Sequence, residues 1–377
     1  MRRNFVTEPF YNTRDRVGSW APTRVISYSG SRNALGRILQ EVSQIILVTD
    51  EVFQEDEFVL ALMAKFKARI MASLNIEREP RLLDVEKATI GIASPHDLVI
   101  AIGGGSAIDY AKVLSLKLSN IAIPPDENTR TGIQPIIAVP TTCGTGSETS
   151  RHAVIYDHRG KKFAIRHWDL SPAVAILDTY FLQTAPTYLI VKTAFDAFVH
   201  HLETFSLKCE ANRFTRYIAV YWMNTILQAV ERFITHGYSE GCIANLQLGS
   251  AYGGVSLSNS RTGLIHTLGE SIASQIPVTH PDSLFLFFEP VFSTYGDWFD
   301  AEIRAMGVTS FTSHEIICKW QDNFARCAAN AQAVDCSLVN RYELVTAVCS
   351  DTVIFREHPV RLDGETVTRI VDSALKY

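Results

Sequence analysis

The residue types and spacing best suited to chemistry occur in the segment "FDAFVHHLETF". Asp196, His200 and Glu203 fall at positions i, i+4 and i+7, and on a helix this spacing places the three side chains on one face. The neighbouring residues are apolar, so the carboxylate and the imidazole must be paired with each other or bound to a ligand. His201 points away from that face, and we interpret it as structural or surface-exposed.

Two further histidines extend this set. His266 lies in "GLIHTLGESI" and His280 in "VTHPDS". The chain has 11 histidines, so no single one is diagnostic. Together, however, Asp196, His200, His266 and His280 offer one oxygen and three nitrogen ligands, which suits a divalent transition metal such as Fe²⁺ or Zn²⁺. Glu270 follows His266 by four residues and shares its face of the predicted helix.

A glycine-rich turn follows a buried strand in "DLVIAIGGGSAIDYAK". It contains Gly103, Gly104, Gly105 and Ser106. Glycine lets the backbone approach a ligand closely, and the first amides of the following helix can hold a pyrophosphate. The turn does not have the Walker A pattern. It is not a G-x-G-x-x-G motif either, because Ile108 occupies the third glycine position. A tight turn without a ligand is the alternative interpretation.

A second loop of glycines and hydroxyls, "PTTCGTGSE", also follows a strand. Two such loops at the strand ends of one sheet favour a nucleotide site. Asp50 ends the strand "IILVTD", where a carboxylate can accept hydrogen bonds from a ribose and repel a 2′-phosphate. This favours NAD(H) over NADP(H), although an aspartate at a strand end can also cap a helix.

These residues need elements that position them, and the elements change character along the chain. In the first half, β-rich runs such as "TRVISYSG", "QIILVTD" and "AVAILD" alternate with helical patterns, which predicts an α/β fold with a parallel sheet. From Pro186 onwards the patterns are long and helical. We therefore predict an α/β dinucleotide-binding domain over residues 1–183 and a helical metal- and substrate-binding domain over residues 184–377.

Composition limits the functional classes. The chain has 377 residues, 47% hydrophobic and 20% charged, with a formal net charge of −5, which gives no reason to expect nucleic acid or an anionic membrane as partner. No apolar run is long enough to span a membrane, and the basic start is not followed by the apolar segment of a signal peptide. Seven scattered cysteines without a C-x-x-C pair favour reduced thiols. We expect a cytoplasmic protein and, on base rates, a homodimer.

The motifs also resemble a known family. "GGGSAIDYAK", "PTTCGTGSE", "DAFVHHLE", "GLIHTLGE" and "THPDS", in this order, are similar to the motifs of the iron-containing (group III) alcohol dehydrogenases. The resemblance runs from about residue 20 to the C-terminus. It implies a Rossmann-like N-terminal domain with a parallel sheet and an all-helical C-terminal domain. Cyclising lyases of the dehydroquinate synthase type share this fold superfamily but lack the "PTTxGTGSE" form of the loop.

The resemblance assigns roles residue by residue. Asp196, His200, His266 and His280 would hold the metal, which is Fe²⁺ by family habit, with Zn²⁺ also compatible. The residues that would line NAD(H) are Gly103, Gly104, Gly105, Ser106, Asp109, Thr141, Thr142, Thr145, Ser147 and Leu182, with Asp50 at the ribose. The implied reaction is the reversible reduction of a small aldehyde or ketone to an alcohol. A non-catalytic nucleotide-binding protein of this fold is the alternative from another class.

The sequence departs from the family at two positions. Glu270 occupies a place where relatives commonly carry a second histidine near the nicotinamide. It could orient a ligand or water, carry a proton, or pair with a neighbouring cation. Arg261 occurs where many relatives have a small or apolar residue, and a guanidinium in the metal pocket suits a phosphonate, phosphate or carboxylate.

"SNSRT", around Arg261, is similar to the hydroxyethylphosphonate dehydrogenase (phosphonoacetaldehyde reductase) branch of the family. We therefore expect a small anionic aldehyde as substrate, with phosphonoacetaldehyde first, and Glu270 and Arg261 as candidate catalytic residues. Arg151, Arg166 and His167 are further candidates for binding the anion. A pairing of Arg261 with Glu270, or a surface position for Arg261, is the alternative, as is a simple aliphatic substrate.

Overall fold

The computed structural model describes residues 21–76, 80–92, 96–126, 131–208, 213–308, 310–327 and 334–376. The basic segment at the start of the chain lies outside these ranges. The strands are β1 Arg24–Ser27, β2 Ile45–Asp50, β3 Ile70–Ile76, β4 Leu98–Gly103, β5 Ile136–Pro140, β6 His152–Tyr156, β7 Lys162–Arg166 and β8 Val174–Leu177. Short 3₁₀ helices span Ser31–Asn33, Leu39–Glu41, Glu51–Phe53, Trp168–Leu170 and Thr179–Leu182.

Six of these strands form one parallel sheet in the order β1-β8-β5-β4-β2-β3. The central strands β2, β4 and β5 are continuous apolar runs with almost every residue buried, as expected for a parallel sheet covered on both faces. Strands β6 and β7 form a separate antiparallel hairpin in which His152 lies opposite Arg166. The carboxyl ends of β2, β4 and β5 therefore meet at one edge of the sheet.

Helices cover both faces of the sheet and then form the second half of the chain. They are α1 Ala34–Ile38, α2 Glu57–Phe66, α3 Leu82–Ile90, α4 Gly105–Leu118, α5 Thr187–Ser206, α6 Arg213–His236, α7 Glu240–Ser258, α8 Leu264–Ala273, α9 His280–Phe292, α10 Gly296–Ala305, α11 Ser313–Cys327, α12 Arg341–Ser350, α13 Thr352–Glu357 and α14 Gly364–Ala374. One sheet face packs on α3 and α4, and the other on α1 and α2. None of the helices in the described ranges has the length and apolar character that a membrane span requires.

The helical half has its own hydrophobic core, in which α5 is the central element. Its residues from Ala194 to Ser206 are all buried, and Phe195 packs edge-on against Phe288 and Trp320 from two other helices. A helix enclosed by its neighbours in this way holds its side chains in fixed positions. The functional residues on α5 therefore sit on a rigid support.

The predicted fold class is confirmed: a parallel sheet with helices on both faces, followed by a helical half. The predicted strands correspond to β1, β2, β4, β5 and β8. The strand β3 and the hairpin β6–β7 were not predicted. The domain boundary at residue 183 stays a prediction, and the change from strands to long helices occurs between Leu177 and Thr187.

Candidate metal and cofactor site

Three imidazole side chains converge on one carboxylate oxygen in the helical half. The Nε2 atoms of His266 and His280 each lie 3.5 Å from Asp196 Oδ1, and His200 Nε2 lies 3.7 Å from it. Ligands held at about 2.1 Å from a tetrahedral metal are about 3.4 Å apart. The ligand atoms of Asp196, His200 and His266 all lie within 4.8 Å of one another. The structure thus brings the four predicted ligands together, and the three on α5 and α8 have a mutual spacing that fits a metal ion.

Burial supports the same interpretation. Within the described part of the chain, Asp196 Oδ1 and His266 Nε2 are buried atoms without a hydrogen-bond partner. Buried polar atoms are normally satisfied, so these two atoms indicate a missing ligand. Burial raises the pKa of Asp196, but the imidazoles of His200 and His280 hold it well below its usual value. Burial lowers the pKa of His200 to about 4, which leaves its ring neutral at pH 7.

Three helices carry the predicted ligands. Asp196 and His200 lie one turn apart on α5, His266 is in the first turn of α8, and His280 is the first residue of α9. Lys192 on α5 forms an ion pair with Asp282 at 2.8 Å, which ties the start of α9 to α5. The site thus depends on how the beginnings of two helices pack against a third.

Glu203 is a neighbour of this site whose partners the sequence did not reveal. Its carboxylate accepts a hydrogen bond of 2.6 Å from His266 Nδ1 and one of 2.7 Å from the Gly263 amide. A Cβ at Gly263 would lie 3.0 Å from Glu203 Oε1, so this approach requires glycine or displacement of the carboxylate. Burial lowers the pKa of His266, but Glu203 and Asp196 raise it to about 10. The two carboxylates therefore favour positive charge where a metal cation would lie.

His201, next to the metal ligands, is structural as expected. Its ring is fully buried, and its Nε2 donates a hydrogen bond of 2.9 Å to the carbonyl oxygen of Gly249 on α7.

The two predicted nucleotide loops lie side by side at the carboxyl edge of the sheet. The amide of Thr141 donates to the carbonyl of Gly103 at 3.1 Å. A Cβ at Gly104 would lie 3.3 Å from Thr142 Cγ2, and one at Gly105 would lie 2.6 Å from Thr145 Cγ2. Ser106 follows in the first turn of α4. The first turn of α4 carries no acidic residue, so its amides can bind a phosphate.

Asp50 lies against the glycine turn. Its Oδ2 accepts a hydrogen bond of 2.6 Å from the Gly104 amide, and its side chain does not cap the 3₁₀ helix that follows it. Burial raises the pKa of Asp50 to about 6, against the lowering effect of the Gly104 hydrogen bond. A carboxylate at the end of β2 and beside the turn is in the region where the sequence predicts the ribose.

Two other predicted cofactor residues form part of a buried network. Asp109 accepts hydrogen bonds from Ser147 Oγ and, at 2.8 Å, from the Val154 amide. Lys112, which sequence reasoning missed, donates to Ser147 Oγ at 2.8 Å and to the His152 carbonyl at 2.6 Å. Asp109 and Ser147 therefore join α4 to the second loop and the hairpin.

Leu182, also predicted to line the cofactor, is fully buried in the helical core beside Cys143. The cofactor contacts of all these residues stay predictions.

Basic residues lie on the hairpin side of the site. Burial lowers the pKa of His152, and the nearby positive charges of Lys112 and Arg261 lower it further, to about 3. His152 is therefore within electrostatic range of Arg261, and sequence reasoning did not single it out. Arg151 is 8% exposed and stacks on Trp168, with its guanidinium carbon 3.8 Å from the ring centroid.

The side chain of Arg151 is mostly buried. In the described ranges no carboxylate lies within ion-pairing distance of it, and its Nε atom is buried without a hydrogen-bond partner. Ser258 Oγ fixes its backbone amide at 3.0 Å. The stacking on Trp168 is thus the contact that holds the guanidinium, and the binding of an anion by Arg151 stays a prediction.

The other candidates occupy different environments. Glu270 is exposed on α8, one turn beyond His266. Arg166 lies opposite His152 in the hairpin. His167 is buried, and its Nδ1 accepts a hydrogen bond of 3.1 Å from the Asp169 amide, so it caps a 3₁₀ helix. The roles of Glu270, Arg261 and Arg166 stay predictions.

Comparison with known proteins agrees with this geometry. Residues 22–179 match the family described as iron-containing alcohol dehydrogenase, and residues 190–340 match the C-terminal part of the Fe-containing alcohol dehydrogenase family. The chain belongs to the iron-containing alcohol dehydrogenase family. A 4-hydroxybutyrate dehydrogenase of Clostridium kluyveri is 33% identical over 53% of this chain and 55% of its own length. A probable alcohol dehydrogenase of Escherichia coli is 32% identical over 54% of this chain and 52% of its own length. The chain thus matches about half the length of these curated relatives.

Solved structures of the family share the fold over nearly the whole chain. An iron-containing alcohol dehydrogenase from Thermococcus thioreducens superposes with a TM-score of 0.81 at 21% identity, covering 95% of this chain and 99% of its own. A sulfoacetaldehyde reductase from Bifidobacterium kashiwanohense, solved in complex with NAD⁺, superposes with a TM-score of 0.82 at 19% identity, covering 95% and 98%.

Proposed function

We propose that this protein is a metal-dependent, NAD(H)-linked alcohol dehydrogenase that reduces a small anionic aldehyde. The observation that carries the proposal is the convergence of three imidazole nitrogens on Asp196 Oδ1, at 3.5–3.7 Å, in a member of the iron-containing family. Fe²⁺ is the proposed metal, and Zn²⁺ fits the same ligands. The two adjacent loops at the sheet edge, with Asp50 beside them, are the proposed site for NAD(H).

Different residues of the chain would bind the metal and the cofactor. Asp196 and the three histidines would hold the metal, which when bound supplies Lewis acidity to a carbonyl oxygen. The amides at the start of α4 would bind the pyrophosphate, and Asp50 would accept hydrogen bonds from the ribose. Hydride transfer itself belongs to the cofactor. The residues of this chain would thus hold the aldehyde and the cofactor in place for the reaction.

Substrate choice is proposed to depend on the basic residues near His152. Arg261 contributes positive charge there, and Arg151 is a buried guanidinium without an acidic partner among the described residues. Phosphonoacetaldehyde is the first candidate, because its dianion can engage more than one guanidinium. The relationship to a 4-hydroxybutyrate dehydrogenase, whose named substrate carries a carboxylate, supports an anionic compound.

The decisive experiment compares aldehydes. Purified protein loaded with Fe²⁺ or Zn²⁺ is assayed with NADH against phosphonoacetaldehyde, succinic semialdehyde, glycolaldehyde and butanal. We expect kcat/KM for an anionic aldehyde to exceed that for butanal by at least about 100-fold, because a desolvated ion pair to arginine is worth ~3 kcal/mol. Equal or better activity with butanal would favour a simple aliphatic alcohol dehydrogenase. Protein with a full metal complement but no activity on any aldehyde would favour a nucleotide-binding role.

Arg261 is tested separately. Arg261→Ala should raise KM for the anionic aldehyde about 10- to 100-fold and leave the KM for butanal unchanged, because only the anion loses its partner. Arg341→Ala is the matched control, since Arg341 pairs with Asp372 on the surface of the helical half. An unchanged KM for the anion in Arg261→Ala would contradict this role.

We also propose a homodimer in the cytoplasm. The six cysteines in the described ranges are free thiols, which is usual in a reducing compartment. Light scattering is expected to give twice the chain mass of 42.0 kDa, and a monomer mass would contradict the dimer.

A further inference from the structure

The Glu203 carboxylate contacts both backbone amides and an imidazole at the start of α8. It lies on α5 one turn after His200 and is buried. Its Oε2 accepts hydrogen bonds from the Gly263 amide at 2.7 Å and from His266 Nδ1 at 2.6 Å. Its Oε1 accepts from the Ile265 amide at 2.7 Å and the His266 amide at 3.2 Å. Four donors, all from the start of α8, thus surround one carboxylate.

The contact with the imidazole decides which nitrogen of His266 can bind a metal. An ionised carboxylate can only accept hydrogen bonds, so Nδ1 must carry a proton. Nε2 then provides the lone pair, and it lies 3.5 Å from Asp196 Oδ1. We propose that Glu203 is a positioning residue that keeps the proton of His266 on Nδ1 and directs Nε2 to the metal. The inference rests on the metal site of the proposed function and adds a determinant of metal affinity.

A glutamine at this position has nearly the same shape but cannot accept from all four donors. If its NH₂ faces His266, Nδ1 must become the acceptor, and the ring proton moves to Nε2, where it blocks ligation. If its NH₂ faces the other way, it meets the amides of Ile265 and His266 and pushes the first turn of α8 away. In either orientation Nε2 is no longer presented to the metal.

The test measures metal binding by Glu203→Gln, independently of activity. Metal is removed from wild type and variant by chelation, and Co²⁺ is added back while its d–d absorption is followed. Zn²⁺ affinity is measured by competition with a chromophoric chelator. We expect a 10- to 100-fold weaker affinity in the variant, as is usual when the partner of a metal-binding histidine is lost, and an altered Co²⁺ spectrum. NADH affinity should be unchanged.

Glu357→Gln is the matched control. Glu357 is also a fully buried glutamate and lines the same small pocket as Glu203, but it pairs with Arg356 on α13. Removing its charge should leave metal affinity at the wild-type value. Equal losses in both variants would mean that buried charge alone sets the affinity, and would overturn the positioning role.

A second measurement does not depend on the folding of the variant. Nitrogen-15 NMR of histidine-labelled, Zn²⁺-loaded wild type should show His266 bound through Nε2 with its proton retained on Nδ1. Ligation through Nδ1 would overturn the proposal. The two proposals fail differently: wild type that binds no metal refutes the metal centre itself, whereas wild-type affinity in Glu203→Gln refutes only the role of Glu203.

Discussion

At the scale of single residues, the environment of each carboxylate determines what it can do. Asp196 is surrounded by imidazoles, which keep it ionised and ready to bind a cation. Asp50 has one amide partner, Gly104, and is otherwise desolvated, so its pKa is raised to about 6. Glu270 is exposed. These environments explain why the spacing of His266 and Glu270 alone could not define a role for Glu270, whereas the pairing of His266 with Glu203 gives the histidine a fixed orientation.

The raised pKa of Asp50 leads to a prediction about cofactor choice. A carboxyl group with a pKa of about 6 is ionised above that pH, and only the ionised form repels a 2′-phosphate. We expect the preference for NADH over NADPH to be strong at pH 8 and to fall about tenfold by pH 5.5, since ~1.4 kcal/mol of repulsion corresponds to a factor of ten. Fluorescence titration of both cofactors at the two pH values measures the preference.

Asp50→Asn is the control for that measurement. The 2′-phosphate of NADPH also titrates near pH 6, so its contribution to the pH dependence of the cofactor preference remains in the variant. We expect the asparagine variant to discriminate weakly at both pH values. If wild type and Asp50→Asn show the same pH dependence, Asp50 does not select the cofactor.

At the scale of elements, local patterns predicted more than long-range contacts did. The turn after β4 could be predicted because its strand, glycines and helix are contiguous in sequence. The role of Asp109 was less accessible, because its hydrogen bonds to Ser147 and Val154 depend on how α4 packs against a loop and a hairpin. The hairpin itself was missed, and so was His152 at its start. Partners far apart in sequence can be assigned only when the packing is known.

The close packing of the second nucleotide loop on α7 can be tested with a single methyl group. A Cβ at Gly254 would clash with the carbonyl oxygen of Gly146 and with Thr149 Oγ1. We expect Gly254→Ala to lower the free energy of unfolding by about 1–3 kcal/mol, as overpacking does, and to weaken NADH binding because the loop must move. Urea unfolding and NADH titration measure the two effects.

Gly241→Ala on the same helix is the matched control. No atom lies within 4 Å of a Cβ at Gly241, and alanine is the better helix former by ~1 kcal/mol. We expect this variant to be as stable as wild type or more stable, with unchanged NADH affinity. Similar losses of stability and NADH affinity in both variants would show that the contact between the loop and α7 does not cause them.

At the scale of the whole molecule, the two halves of the chain carry different parts of the predicted site. The sheet edge supplies the two loops and Asp50, and the helical half supplies the four predicted metal ligands, from α5, α8 and α9. The helical patterns and the histidines were visible in the sequence, so these four residues could be proposed together before the structure brought them close. The basic residues of the predicted anion site were less accessible, because His152 and Arg261 are far apart in sequence and come within electrostatic range only in the folded protein.

The position of the predicted ligands on three helices predicts how a bound metal changes the free energy of unfolding. The ligands come from three helices of one core, so a bound metal joins elements that must separate on unfolding. At a free metal concentration 100 times the dissociation constant, we expect a gain of about 2.7 kcal/mol in the free energy of unfolding. Thermal unfolding of chelated protein with and without added Zn²⁺ measures the gain. Asp196→Asn should gain much less stability from the metal, because its neutral amide replaces the only anionic group among the predicted ligands. An equal gain in that variant would place the stabilising metal elsewhere on the molecule.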